Sequence, residues 1–304
     1  MRIILHGQQA FGEAVLKALL DRGEEVIAVY SAPDREGRPV DPIKTLALEN
    51  GLPVHQPQSF KDPDLWAQCA AMKPDLGVMA YVTKLVPEEF LNIPTHGTIQ
   101  YHPSLLPLHR GPSSINWPII MGSIKTGLSI FWPDNGLDTG PVLLQKEVDI
   151  GPNDSLGSIY FNQLFPMGVD AMLEGVDLVR DGKAPKVVQD ESKQTYESWC
   201  RKADAEVDWS KPAAEVYNLI RGTNPQPGAW TMHDGKVLQI FDSAASDATG
   251  GPPGEVIAID ETGITVAAAG GAVLVKRVRP EGDKKIAAGE FVTASGLAVG
   301  AKFG

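Results

Sequence analysis

A chain of 304 residues, 43% apolar and 21% charged, has the composition of a globular protein with room for two domains. Its net charge of −11 argues against broad, sequence-independent binding to nucleic acid or anionic membrane, because those surfaces call for a basic excess. Cys69 and Cys200 are the only cysteines and have no C-x-x-C spacing, the N-terminal apolar run is too short for a signal peptide, and no span approaches about eighteen apolar residues. A disulfide framework, a zinc site and a membrane segment are therefore not expected, and the expected setting is the cytoplasm.

Arg2–Gly7 reads as an apolar strand that breaks at a glycine. Phe11, Ala14, Val15, Ala18 and Leu19 then recur at helical spacing up to Arg22-Gly23, and Val26–Tyr30 is a second buried strand. Strand, glycine turn, helix and strand open a doubly wound sheet. The turn Gly7-Gln8-Gln9-Ala10-Phe11-Gly12 lacks the G-x-G-x-x-G that lets backbone approach a pyrophosphate, so NAD is not expected even though Asp34 follows the second strand. After the polar loop Asp34–Pro42 come a helix over Ile43–Asn50, a third strand at Val54, and a helix over Asp62–Met72 with Trp66 and Cys69 in the core. The fourth strand, Asp75–Tyr81, is continuously apolar, as parallel strands buried on both faces are. Gly97–Tyr101 is the fifth strand. Open α/β sheets hold ligands beyond the carboxyl ends of their strands, so the loops after the fourth and fifth strands are the expected walls of a site.

Gly127–Trp132 and Pro141–Ile150 are further strands. Asp154-Ser155 caps a helical stretch over Leu156–Asp181 with an interruption expected at Pro166. Residues 182–203 read as a polar linker with a short helix. A helix begins at Val207–Pro212 and ends near Arg221-Gly222, and Asn224–Trp230 is a turn. The short strands Val237–Phe241, Glu255–Ile259, Ile264–Ala267 and Ala272–Val278 alternate with glycine-rich turns. The expected architecture is α/β: a Rossmann-like, doubly wound, mostly parallel sheet over 1–182, a linker over 183–203, and a small OB-like β-barrel over 204–304.

The chemistry concentrates between His102 and Gly140. His102 precedes Pro103 and is held extended at a strand end, and Asp138 sits in the tight loop Gly136-Leu137-Asp138-Thr139-Gly140. The two are 36 positions apart, so only the fold can join an imidazole to an orienting carboxylate. His109-Arg110-Gly111 is read either as an anion site or as a brace for the loop. His6 is assigned to the core, and His55 and His233 to the surface. With G-x-S-x-G absent, covalent catalysis through a nucleophile elbow is not favoured.

His102-Pro-Ser-Leu-Leu-Pro107, Arg110-Gly111 and Gly136-Leu-Asp-Thr-Gly140 resemble the signature of the formyltransferase family that uses 10-formyltetrahydrofolate. The likeness extends to Pro33-Asp34-Arg35, Asp208-Trp209, Ile220-Arg221-Gly222 and Pro227-Gly228-Ala229-Trp230, so it covers nearly the whole chain. That family includes methionyl-tRNA formyltransferase and the hydrolase domain of 10-formyltetrahydrofolate dehydrogenase. The resemblance implies a catalytic N-terminal domain, a catalytic His102 and an essential Asp138. It also implies a folate site lined by Lys84, Leu85, Val86, Ser104, Leu105, Leu106 and Pro107, with Met79 and Tyr81 deeper in a pterin pocket, and it implies no metal.

Two departures from the family pattern bear on the acceptor. Family members place Asn two residues before the histidine, whereas this chain has Gln100, which keeps the amide donor on a longer arm; the resembled hydrolase domain also lacks Asn there. The loop Asp34–Pro42 is short and nearly neutral, and residues 204–304 carry 9 Lys and Arg against 13 Asp and Glu, where a tRNA-binding domain should be basic. The expected reaction is therefore release of the formyl group to water or a small amine, yielding tetrahydrofolate. Methionyl-tRNA formyl transfer and non-catalytic folate binding stay open as alternatives.

Overall fold

In the computed structural model, which describes residues 1–304, the apolar runs become strands and the 3.6-residue patterns become helices. In chain order the first elements are β1 (Arg2–Gly7), α1 (Gln9–Asp21), β2 (Glu25–Tyr30), α2 (Pro42–Glu49), β3 (Val54–His55), α3 (Pro63–Ala71), β4 (Leu76–Ala80), α4 (Glu88–Leu91) and β5 (Thr98–His102). Then follow α5 (Asn116–Ile120), β6 (Lys125–Phe131), β7 (Val142–Asp149), α6 (Leu156–Ile159), α7 (Phe165–Arg180) and α8 (Ala213–Gly222). Helices α2 and α3 start where they do because the carboxylates of Asp41 and Asp62 accept first-turn amides and a proline opens each helix.

Strands β1 to β7 form one sheet in the order β3-β2-β1-β4-β5-β6-β7. The first five are parallel, and β6 runs antiparallel to β5. From β1 the chain works outward through β2 and β3, then returns to the opposite flank of β1 with β4. The order therefore reverses between β1 and β4, the kind of switch point beside which α/β sheets bind ligands.

Contacts divide the chain into two units that do not follow chain order. The first holds Met1–Pro112, Gly127–Val148 and Gln163–Glu197; the second holds Ser113–Thr126, Asp149–Asn162 and Ser198–Gly304. Residues 183–197, read above as linker, thus belong with the sheet.

In the first unit, Phe11 of α1 lies 4.4 Å, centroid to centroid, from Tyr101 of β5. Gly168 of α7 closes over both, and a Cβ there would lie 2.7 Å from the Tyr101 ring. This contact fixes the depth of β5 on one face of the sheet. On the opposite face His6 stacks on Tyr30 at 4.8 Å and meets Phe60 and Phe90. His6 is buried as expected, its Nδ1 has no hydrogen-bond partner, and burial pushes its pKa down to about 3.

Pro166 does not interrupt the helix. It sits in the first turn of α7, where no amide is needed, and the irregularity is a π-helical turn over Tyr160–Leu164 ahead of it.

The second unit adds β8 (Ala229–His233), β9 (Lys236–Ile240), β10 (Ser243–Ser246), β11 (Val256–Asp260), β12 (Gly263–Ala268), β13 (Gly271–Val275), β14 (Arg277–Pro280), β15 (Ile286–Ala287) and α9 (Ala288–Ser295). They form two four-stranded antiparallel sheets, β10-β13-β12-β11 and β15-β14-β9-β8. The strand expected over Ala272–Val278 is split at Lys276, where the chain passes from one sheet to the other and the amides of Lys276 and Arg277 bond to the Asp242 carbonyl. His233 corrects its surface assignment: it packs against Phe291 and Phe303 with both ring nitrogens buried. No helix is long and apolar enough to cross a membrane.

Candidate active site

His102 is the last residue of β5, and strand alternation decides what shares its face. Tyr101 points toward α1 and α7, so Gln100 and His102 point to the other side. There Gln100 is opposite Phe131 of β6 and Met79 of β4, and His102 is opposite Ser129. Tyr81 (φ 65°), His109 (φ 54°) and Asp138 (φ 58°) all adopt the left-handed backbone region. For a tyrosine this conformation is costly and persists only where the surroundings enforce it.

The loop after β5 is fixed from several directions. Ser104, fully buried, donates to the Leu108 carbonyl at 2.6 Å, and its own carbonyl accepts from Ser129 Oγ at 2.7 Å. Leu106 packs with Phe131 and Val142, and Gln145 donates to its carbonyl. His109 donates its backbone amide to Thr195 Oγ1 and pairs through Nδ1 with Glu197 Oε2 at 3.0 Å.

Asp138 arrives from the loop after β6. One carboxylate oxygen accepts the Gly111 amide at 2.9 Å, and the same Oδ2 lies 3.7 Å from His102 Nδ1. Both side chains are nearly enclosed, at 7% and 8% exposure. The fold thus joins the histidine and carboxylate that sequence spacing alone leaves apart. The other ring nitrogen, His102 Nε2, is 2.9 Å from the carbonyl oxygen of His109. A carbonyl only accepts, so Nε2 carries a proton, and Nδ1 is the ring nitrogen turned toward Asp138. A separation of 3.7 Å is too long for a direct hydrogen bond. The gap between the two can seat an N–H or O–H group, and charge developing there would interact in a largely water-excluded setting.

Arg110 is a brace and not an anion site. Its guanidinium is buried, forked onto Glu191 at 2.6 and 3.0 Å, and held by Gln189 Oε1 at 2.8 and 3.2 Å. The hydrogen-bonded Arg110 keeps the Glu191 carboxyl below its ordinary range. Gln189 in turn donates to the Asp138 and Gly140 carbonyls at 2.9 and 2.7 Å. Sequence reading missed Gln189, Glu191, Thr195 and Glu197 as parts of this site, because they lie in a polar segment with no period. The Arg110-Gly111 pair gave the only hint that a partner was needed.

The remaining expected folate-site residues divide by exposure. Met79 and Val86 lie in the aromatic core beneath the sheet's carboxyl edge. Ser104 and Leu106 have their side chains engaged internally, and Leu105 and Pro107 are half-buried. Lys84 donates from Nζ to the Pro57 and Gln58 carbonyls at 2.7 and 3.0 Å. Tyr81 and Leu85 are exposed, and Gln100 is partly so. No group of three or more His, Cys, Asp or Glu side chains converges where it could hold a metal.

Set beside known proteins, residues 1–172 match the formyl transferase family and residues 200–296 match the formyl transferase C-terminal domain. The chain is 38% identical over 309 residues to methionyl-tRNA formyltransferase of Geotalea daltonii, a match spanning 100% of this chain and 98% of that one. It is 37% identical to mouse mitochondrial 10-formyltetrahydrofolate dehydrogenase over 98% of its own length but only 34% of the relative's. With the human cytosolic 10-formyltetrahydrofolate dehydrogenase it shares 40% over 85% of its length and 29% of the relative's. The chain thus spans about a third of the dehydrogenases it matches. Among solved structures, HypX from Aquifex aeolicus in complex with tetrahydrofolic acid superposes with a TM-score of 0.70 at 22% identity, over 98% of this chain and 48% of that one. An N-formyltransferase from Helicobacter canadensis, in complex with folinic acid and dTDP-3-aminofucose, superposes with a TM-score of 0.72 at 16% identity, over 90% of this chain and 98% of that one. At these identities the two structures bear on the fold alone.

Proposed function

The chain belongs to the formyl transferase family, and on that footing we propose that it takes 10-formyltetrahydrofolate as formyl donor and passes the formyl group to water or a small amine, leaving tetrahydrofolate. The observation that carries this reading is Nδ1 of His102 facing the Asp138 carboxylate across 3.7 Å, with Nε2 turned to the His109 carbonyl.

The formyl group on N10 is an amide-like carbonyl, and attack on it builds negative charge on oxygen. An attacking water or amine seated between Nδ1 and Asp138 Oδ2 donates one proton to Nδ1 as its lone pair bonds to the formyl carbon. Asp138 orients the nucleophile and stabilises the imidazolium that results. The amide of Gln100, on the same face of β5 as His102, supplies a donor for the oxyanion, an interaction worth a few kcal/mol in such sites. Collapse breaks the bond from the formyl carbon to N10, and the proton on Nδ1 moves to N10. Tyr81, Lys84 and Leu85, with the turn Ser104–Pro107, are the proposed folate walls, and Met79 and Val86 back them. The names of the relatives, which concern formyltetrahydrofolate and formyl transfer, support the choice of donor.

A second reading has its own support. The likeness to methionyl-tRNA formyltransferase runs the full length of both chains, which favours charged tRNA as acceptor. Against it stands the acidic balance of residues 204–304. Turnover of 10-formyltetrahydrofolate by the purified chain, followed by release of tetrahydrofolate and formate, separates the two. Formate released without any added acceptor supports hydrolysis, and turnover stimulated by an amine supports transfer to it. Turnover that begins only when charged initiator tRNA is added replaces the proposal with the second reading. Tight folate binding with no turnover under any of these conditions would leave a binding module.

A further inference from the structure

We infer that Gln189, which lies in a segment that neither family match reaches, is a positioning residue for the His102–Asp138 pair; the inference rests on the reading of that pair given above. Gln189 is buried and uses its full hydrogen-bonding capacity in one place. Both amide protons go to carbonyls of the Asp138 loop, Asp138 O at 2.9 Å and Gly140 O at 2.7 Å. Its oxygen accepts from two nitrogens of Arg110 at 2.8 and 3.2 Å.

Arg110 is the residue between the two backbone groups that set the pair. The carbonyl of His109 fixes the proton on His102 Nε2, and the amide of Gly111 fixes Asp138 Oδ2. Gln189 therefore ties the loop that sets the histidine's tautomer to the loop that carries the carboxylate. Apart from it, the polar link between those loops is the Gly111–Asp138 bond. Glu191 completes the arrangement by neutralising the guanidinium from its outer side, which keeps Arg110 available to Gln189. Asp138 and His109 both hold left-handed backbone, a conformation that an unclamped loop would relax from. Releasing one side of the clamp shifts Asp138 against His102, and a shift of about 1 Å in a catalytic pair costs up to about a hundredfold in rate.

The test uses Gln189→Glu in the full chain. The carboxylate keeps, and strengthens, the pairing with Arg110, but it turns two donors into two acceptors facing two carbonyls. The pairing with Arg110 is thereby kept while the Asp138 loop is pushed away. Arg110→Lys, which keeps a cation for Glu191 but cannot give Gln189 two nitrogens, is the second variant should the first fail to fold. The readouts are kcat, folate affinity, and the 15N signature of the His102 ring. Wild-type protein should show the single tautomer protonated at Nε2. The variants should show mixed tautomers and kcat lowered by about tenfold to a hundredfold, with folate affinity within about twofold. An unaltered ring signature in both variants overturns the inference whatever happens to turnover, and so does an altered signature with kcat within about twofold of wild type. If the wild-type chain turns over no formyl donor, the proposed function falls, and the ring signature alone then decides whether Gln189 positions His102.

Discussion

His102 turns its protonated Nε2 to the His109 carbonyl at 2.9 Å and its Nδ1 to Asp138 at 3.7 Å. The ring's orientation is thus set by a backbone group seven residues further along its own loop, and the carboxylate takes the side left open. In the proposed reaction the attacking water or amine sits between these two groups, within reach of both.

Gly111 holds this geometry through its lack of a side chain. Its φ is +107°, and a Cβ there would lie 2.5 Å from the Glu197 carbonyl oxygen and 3.0 Å from the Tyr196 ring. Gly111→Ala should displace the amide that fixes Asp138, lowering kcat by about tenfold or more and stability by about 1–3 kcal/mol. Steady-state kinetics with a denaturant titration checks both. Wild-type kcat in the variant would show that the Gly111–Asp138 bond does not set the carboxylate.

Gly168→Ala tests how β5 is seated. The new methyl would press on Tyr101 at 2.7 Å and on Phe11 at 3.0 Å, in a region with no room to give. The expected cost is about 1–3 kcal/mol in denaturant unfolding, and the shift of β5 should carry His102 with it and reduce turnover. Reduced stability with full turnover would mean that β5 relaxes without moving the histidine.

His6 predicts the acid limb of stability. Its folded pKa is depressed to about 3 by burial, below the ordinary value of 6.5. Well above pH 6.5 neither the folded nor the unfolded chain protonates it, so it contributes no pH dependence there. As pH falls from 6.5 toward 3 the unfolded chain takes up a proton that the folded chain refuses, and stability drops by as much as about 1.4 kcal/mol per pH unit until the folded form also protonates. His6→Leu should flatten this limb. Chemical denaturation of both proteins at a series of pH values between 7 and 4 gives the comparison, and parallel curves would show that His6 is not the group responsible.

Much of this was legible in the sequence. The parallel strands announced themselves as short apolar runs, α1 by apolar residues at helical spacing, and the crevice by a histidine and an aspartate at two strand ends. Other features left no local trace. The split of Ala272–Val278 into two strands depends on where Lys276 meets the Asp242 carbonyl, a contact between residues far apart in the chain. The π turn over Tyr160–Leu164 was hidden behind Pro166, which looked like the breaker but occupies a first-turn position that tolerates it. Gln189 was invisible for another reason: a single glutamine in a polar stretch reads as linker, and only the fold shows that both its protons and its oxygen are engaged in burial.

The most direct test of the proposed catalytic pair is the turnover of 10-formyltetrahydrofolate by Asp138→Asn beside wild type. Asparagine keeps the loop conformation open to it and can still accept the Gly111 amide, but it removes the charge facing His102 Nδ1. Folate affinity should hold while kcat falls by about a hundredfold to ten-thousandfold. A variant that turns over the formyl donor at the wild-type rate would contradict the assignment of chemistry to His102 and Asp138.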